Sequence, residues 1–115
     1  MGEIKELTEK IKRFRDERDW KQFHNHKDMA ISLALEAAEV LEHFQWKSRE
    51  EIEGYVEENK SHLADELADV SMFLFELADN LGINLPEAIE KKLQKNRKKY
   101  PVKKAKGRHT KYDKL

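Results

Sequence analysis

Apolar residues recur every three or four positions along most of this chain, and only four glycines and two prolines interrupt them. That spacing is the period of an α-helix rather than the alternation of a strand. Ala, Leu, Glu and Lys, all strong helix formers, dominate between the breaks. The expected fold class is all-α, a bundle of about four main helices. With 115 residues the chain is one domain with a real but modest core.

The helix signals are local and specific. A first helix is expected from about Glu3 to Arg18, with Ile4, Leu7, Ile11 and Phe14 on one stripe. RDWKQFHNHKD then reads as a loop, and Asp28 is placed to cap a second helix running to about Phe44. Ser48 and Glu51 have the spacing of a capping box ahead of a short segment carrying Ile52, Tyr55 and Val56, although Gly54 weakens it. A long helix follows from about Asn59 to Asn80, with Gly82 as its stop. Asn84 and Pro86 open a last helix that ends before Pro101. The expected organisation is a domain over residues 1–101 and a basic, flexible tail over 102–115.

Charge and composition exclude several classes. There is no cysteine, so neither disulfides nor thiolate metal ligands are available. The start, MGEIKELTEK, lacks the apolar core of a signal peptide, and no run is long and apolar enough to span a membrane, so a cytoplasmic protein is expected. Lys and Arg balance Asp and Glu at 23 each. The balance is uneven: residues 1–89 hold 11 basic against 21 acidic side chains, and residues 90–115 hold 12 against 2. The neutral total argues against a dedicated nucleic-acid binder, and no stable nucleic-acid partner is expected.

Two acidic pairs break the helical pattern. Glu36 and Glu39 are the only charged residues between Asp28 and Glu42, and Glu66 and Asp69 interrupt HLADELADVSMFLFEL. Ser32, Glu36, Glu39 and His43 follow i, i+4, i+7, i+11, as do His62, Glu66, Asp69 and Phe73, so each set spans only about 60° of its helix. Met29, Leu33, Leu35 and Val40 flank one stripe, and Leu63, Val70 and Leu77 the other. The acids therefore point toward packed surface. Buried unpaired carboxylates cost several kcal/mol, and no Lys or Arg on either stripe offsets that.

Either a divalent cation or basic residues from elsewhere must compensate. Magnesium suits a few carboxylates while leaving room for waters and phosphate oxygens. A di-iron bundle requires Glu-x-x-His, which the chain lacks, and zinc finds no suitably spaced His or Cys. His43 and His62, at the ends of the stripes, are candidates for a hydrogen bond to a carboxylate or for plain surface, while His26 and His109 are read as surface.

The pattern Glu36-x-x-Glu39, 26 residues, Glu66-x-x-Asp69 resembles the signature of the MazG-like all-α nucleoside triphosphate pyrophosphohydrolases. RDWKQFH (18–24), EHFQWK (42–47), DELADV (65–70), LPEAI (85–89) and NRKKYP (96–101) together resemble the dCTP pyrophosphatase branch. The resemblance implies hydrolysis of a (deoxy)nucleoside triphosphate, dCTP-like, to monophosphate and pyrophosphate, in nucleotide-pool sanitation. It also implies Mg²⁺ held by Glu36, Glu39, Glu66 and Asp69, which are then the catalytic residues. Lys92, Asn96, Lys99 and Tyr100 would meet the phosphates, and Trp20, His24 and Trp46 the base. Phe73 stands where relatives often carry Tyr, while Phe23 is expected mainly in the core.

Leu67, Met72, Leu74 and Phe75 continue the apolar surface around the helix that carries Glu66, which implies a homo-oligomer, dimer or tetramer, as the family forms. The competing class is a helical interaction or regulatory module whose basic C-terminal tail binds nucleic acid or an acidic partner.

Overall fold

The computed structural model describes residues 2–115. They form α1 (Glu3–Glu17), α2 (His26–Glu42), α3 (Arg49–Glu58), α4 (Lys60–Asn80), α5 (Leu85–Lys99) and α6 (Val102–Ala105), with 3-10 turns at Lys21–Phe23 and Tyr112–Lys114. No strand occurs among the described residues, so the protein is all-α as expected. None of these helices is long and apolar enough to cross a membrane. The chain divides into two compact units, one ending at Gly82 and the other running from Ile83 to Leu115.

In the first unit α4 is the central element, and α1, α2 and α3 all pack on it. Met29 of α2 and Leu63 and Ala78 of α4 are its buried apolar residues. Local chemistry sets the boundaries. The cap of α2 is Asn25 rather than Asp28: Asn25 Oδ1 accepts the Asp28 backbone N–H at 2.9 Å, and Asn25 Nδ2 donates to Asp28 Oδ2 at 2.7 Å. The reciprocal pair starts the helix earlier and leaves Asp28 in its first turn, where an acid also favours the helix dipole. Ser48 caps α3 as its spacing implies, with Oγ accepting the Glu51 N–H at 3.2 Å. Asn59 alone separates α3 from α4, and Gly82, at φ +69°, follows the α4 terminus.

The buried face of α1 is rotated from its apolar stripe. Leu7 and Phe14 are about half exposed, whereas Thr8 and Arg15 are buried. Thr8 satisfies its hydroxyl by donating to the Ile4 carbonyl at 2.6 Å, and Arg15 meets an acid on α4. Polar pairing thus overrides the apolar pattern here. Phe14 is used outside the core: its ring meets Trp20 edge-on at 5.8 Å, with the Arg18 guanidinium 3.7 Å from its centroid. Phe23, expected in the core, is 61% exposed, because the 3-10 turn directs it outward while His24 turns in. Leu35 is likewise exposed rather than packed beside the acids.

In the second unit Asn84 caps α5 by accepting the Glu87 N–H at 3.1 Å, with Pro86 in the first turn and Arg97, Lys98 and Lys99 in the last. The segment 102–115 carries α6 and the turn at Tyr112–Lys114, where the Tyr112 ring stands edge-on to Tyr100 at 6.1 Å. Lys99 Nζ lies 4.7 Å from the Tyr112 centroid, and Lys98, Lys99, Pro101, Lys104, Tyr112 and Leu115 line a cleft of about 370 Å³.

Candidate metal centre

The packing of α2 against α4 brings the two acidic stripes face to face. One carboxylate oxygen from each of Glu36, Glu39 and Glu66 lies within 4.8 Å of the other two. Glu36 and Glu66 are half-buried and Glu39 is exposed, so the cluster opens to solvent on one side. Asp69 falls outside that group of three, although its charge reaches Glu36. Among the described residues no Lys or Arg pairs with any of the four acids, so a compensating basic network is not what holds them.

The electrostatics record the strain. Burial, then contact with the Glu39 carboxyl and the charges of Glu39, Asp69 and Glu66, push the Glu36 carboxyl above its ordinary value near 4.5. Glu66 is pushed the same way, first by contact with the Glu39 carboxyl and then by burial, with His43 opposing. Glu36 Oε2 and Glu66 Oε2 are buried without any hydrogen-bond partner. Two orphaned anionic oxygens beside a third carboxylate form an all-oxygen donor set, the chemistry of a hard divalent-cation site. The triad is able to hold such an ion.

His43 is the side chain that reaches the cluster from outside it. Its Nε2 lies 3.6 Å from Glu66 Oε1 and its Nδ1 2.5 Å from the Tyr55 hydroxyl. Of the two histidines at the stripe ends, then, His43 meets a carboxylate, and His62 is exposed.

A second carboxylate centre on α4 was not legible from the motifs. Glu76 is 3% exposed, as is Arg15, whose Nη1 lies 3.4 Å from Glu76 Oε2. His24 Nδ1 meets the same oxygen at 2.6 Å, and Arg15 also donates to Asp16 Oδ1 at 2.8 Å and to Asn80 Oδ1 at 3.5 Å. The signal available in the sequence was Glu76 itself, an acid inside the apolar run MFLFEL.

The residues expected to meet substrate fall in both units. In the first, Trp20 is 43% exposed just before the 3-10 turn, His24 is fixed by Glu76, and Phe73 is half-buried on α4. Trp46 is 91% exposed and sits at φ +70°, a conformation that costs a bulky side chain energy. In the second, Lys92 and Lys99 are exposed, Asn96 is half-buried, and Tyr100 stands against Tyr112.

Comparison with known proteins places the chain among relatives. The MazG-like family model matches residues 31–115. A Mus musculus protein named dCTP pyrophosphatase 1 is 38% identical over 104 residues, covering 89% of this chain and 61% of that protein. The Homo sapiens protein of that name is 36% identical, over the same shares. The chain thus spans about three fifths of the length of the curated relatives it matches. The crystal structure of a pyrophosphatase from Archaeoglobus fulgidus superposes with a TM-score of 0.83 at 39% identity, covering 88% of this chain and 94% of that one. With the family model matching most of its length, the chain belongs to the MazG-like family.

Proposed function

We propose that this protein is a Mg²⁺-dependent nucleoside triphosphate pyrophosphohydrolase that prefers a dCTP-like substrate and acts in nucleotide-pool sanitation in the cytoplasm. The observation that carries the reading is the convergence of Glu36, Glu39 and Glu66 with two buried oxygens lacking partners. Glu36, Glu39 and Glu66 would hold the ion, with Asp69 completing the set. When bound, Mg²⁺ supplies neutralisation of phosphate charge and a lower pKa for nearby water.

The chain's own groups do the rest. Glu36 or Glu39 accepts the proton of the attacking water, whose oxygen bonds to phosphorus as the α–β anhydride bond breaks and pyrophosphate departs. Lys92, Asn96, Lys99 and Tyr100 contact the phosphates. Trp20 and Trp46 stack on the base, and the exposure and strained backbone of Trp46 support that role. His24 and Phe73 complete the pocket, Phe73 without a hydroxyl to offer the sugar.

Residues 1–101 form the catalytic domain in this reading and 102–115 a basic extension. Leu67, Met72 and Leu74 remain exposed on α4, which supports assembly into a homodimer or tetramer. A panel of nucleoside triphosphates assayed with and without Mg²⁺ tests the proposal. Pyrophosphate and monophosphate, greatest with dCTP, are expected, whereas release of orthophosphate alone overturns it.

The lysine-lined cleft of the second unit favours one competing reading, an interaction module working through residues 102–115. It predicts that deleting those residues abolishes function while Glu66→Ala does little; the enzyme reading predicts the reverse.

A further inference from the structure

Glu66 is held from one side only. His43, the C-cap of α2 one turn beyond Glu39, directs Nε2 toward Glu66 Oε1 at 3.6 Å, while Glu66 Oε2 is buried and unpartnered. The other face of this contact lies on α3, where the Tyr55 hydroxyl sits 2.5 Å from His43 Nδ1. The two rings are 5.7 Å apart at 54°, and Lys47 Nζ stands 4.2 Å from the Tyr55 centroid. Helix α3, which carries no member of the acidic cluster, is thereby connected to it.

We propose that Tyr55 and His43 form a positioning relay for Glu66: the Tyr55 hydroxyl donates to His43 Nδ1, placing the ring proton on Nε2 so that it faces Glu66 Oε1 and leaves Oε2 for a divalent cation. This rests on the reading of the acidic cluster as a cation site.

Two physical points fix the direction of the relay, and a third its strength. The phenol can donate or accept, but if His43 Nδ1–H donated to it, the bare Nε2 lone pair of a neutral ring would face a carboxylate oxygen. That arrangement is repulsive, and the acid cluster therefore selects the tautomer with Nε2–H. Lys47 over the Tyr55 ring draws electron density from the phenol, which makes its O–H the better donor. At 3.6 Å the His43 contact is longer than a formed hydrogen bond, so it acts on Glu66 Oε1 as an aimed N–H dipole rather than as a full bond. Outer partners of this kind commonly decide how tightly carboxylates and histidines grip a metal.

His43 and Tyr55 are positioning residues, and the test reads cation affinity and the ring tautomer rather than turnover. Binding of Mn²⁺ alone to the full chain, measured by electron paramagnetic resonance, should weaken about 10–100-fold in His43→Leu and about 10-fold in Tyr55→Phe. His43→Gln, whose amide reaches the place of Nε2, should recover most of the loss. In metal-free protein, nitrogen-15 NMR of the His43 ring should show the proton on Nε2 in the wild type and a mixture in Tyr55→Phe. Tyr55→Phe keeps the ring and the packing, and its unfolding transition checks that the fold survives.

Unchanged Mn²⁺ affinity in both His43→Leu and Tyr55→Phe overturns the relay, as does a wild-type ring protonated on Nδ1. Glu66→Gln separates the two levels. If it too binds Mn²⁺ as the wild type does, the cation reading itself fails; if it alone loses Mn²⁺, only the relay fails.

Discussion

Helix α4 carries two carboxylates with opposite surroundings, about 15 Å apart along its axis by the rise of an α-helix. Glu76 is almost fully buried, yet the same oxygen is met by Arg15 and His24. Glu66 is half-buried, faces two other acids and keeps an orphaned oxygen. Burial alone therefore does not mark a functional acid. A carboxylate supplied with a cation by its own chain is structural, and one left without is able to take a cation from outside.

The comparison breaks most clearly in activity. Glu66→Gln should lower pyrophosphohydrolase turnover at least about 100-fold, beyond the range for outer metal partners, while circular dichroism shows the fold intact. Glu76→Gln should leave Mn²⁺ affinity unchanged in a direct binding titration.

Stability should respond the other way. Glu76→Ala strands Arg15, and to a lesser extent His24, in the interior, at a cost of about 3 kcal/mol. Arg15 keeps its bond to Asp16, which holds the loss toward the low end of such changes. Thermal unfolding should show a fall in Tm of roughly 12–24 °C for a unit of this size. An equal fall in Glu36→Gln would erase the distinction between the two sites.

Cation linkage gives a smaller and sharper contrast. Mg²⁺ at about 100 times its dissociation constant should raise wild-type stability by about 2.7 kcal/mol, seen as a higher Tm, and should not raise that of Glu36→Gln.

The pH dependence is the smallest effect. Because the folded-state pKa values of Glu36 and Glu66 are raised above the ordinary value near 4.5, their contribution to metal-free stability is fully present below that value. It is lost as pH rises through the raised values, since the folded state binds more protons than the unfolded one in that window. The Tm of Glu36→Gln relative to wild type, measured without metal, should therefore climb as pH rises above about 4.5. A constant difference across that range would contradict the crowding of these acids.

Much of this was legible in the sequence because it is local. The caps at Ser48 and Asn84, the stop at Gly82 and the phase of each acidic stripe on its own helix all follow from residues within a turn or two of each other. Asp28 misled because Asn25 is an equally good cap and the pair works together. Arg15 with Glu76 and His43 with Tyr55 were not legible, since such pairs depend on how helices pack. That same pairing rotated α1 away from Leu7 and Phe14. Asp69 shares a motif with Glu66, yet helical phase alone did not place it within the group of three.

The most direct test is a calorimetric titration of Mg²⁺ into metal-free wild type, Glu66→Gln and Glu76→Gln. Binding to the wild type and to Glu76→Gln, with none to Glu66→Gln, is the predicted result. Equal binding to all three would contradict the claim that the orphaned acids of α2 and α4 are the cation site.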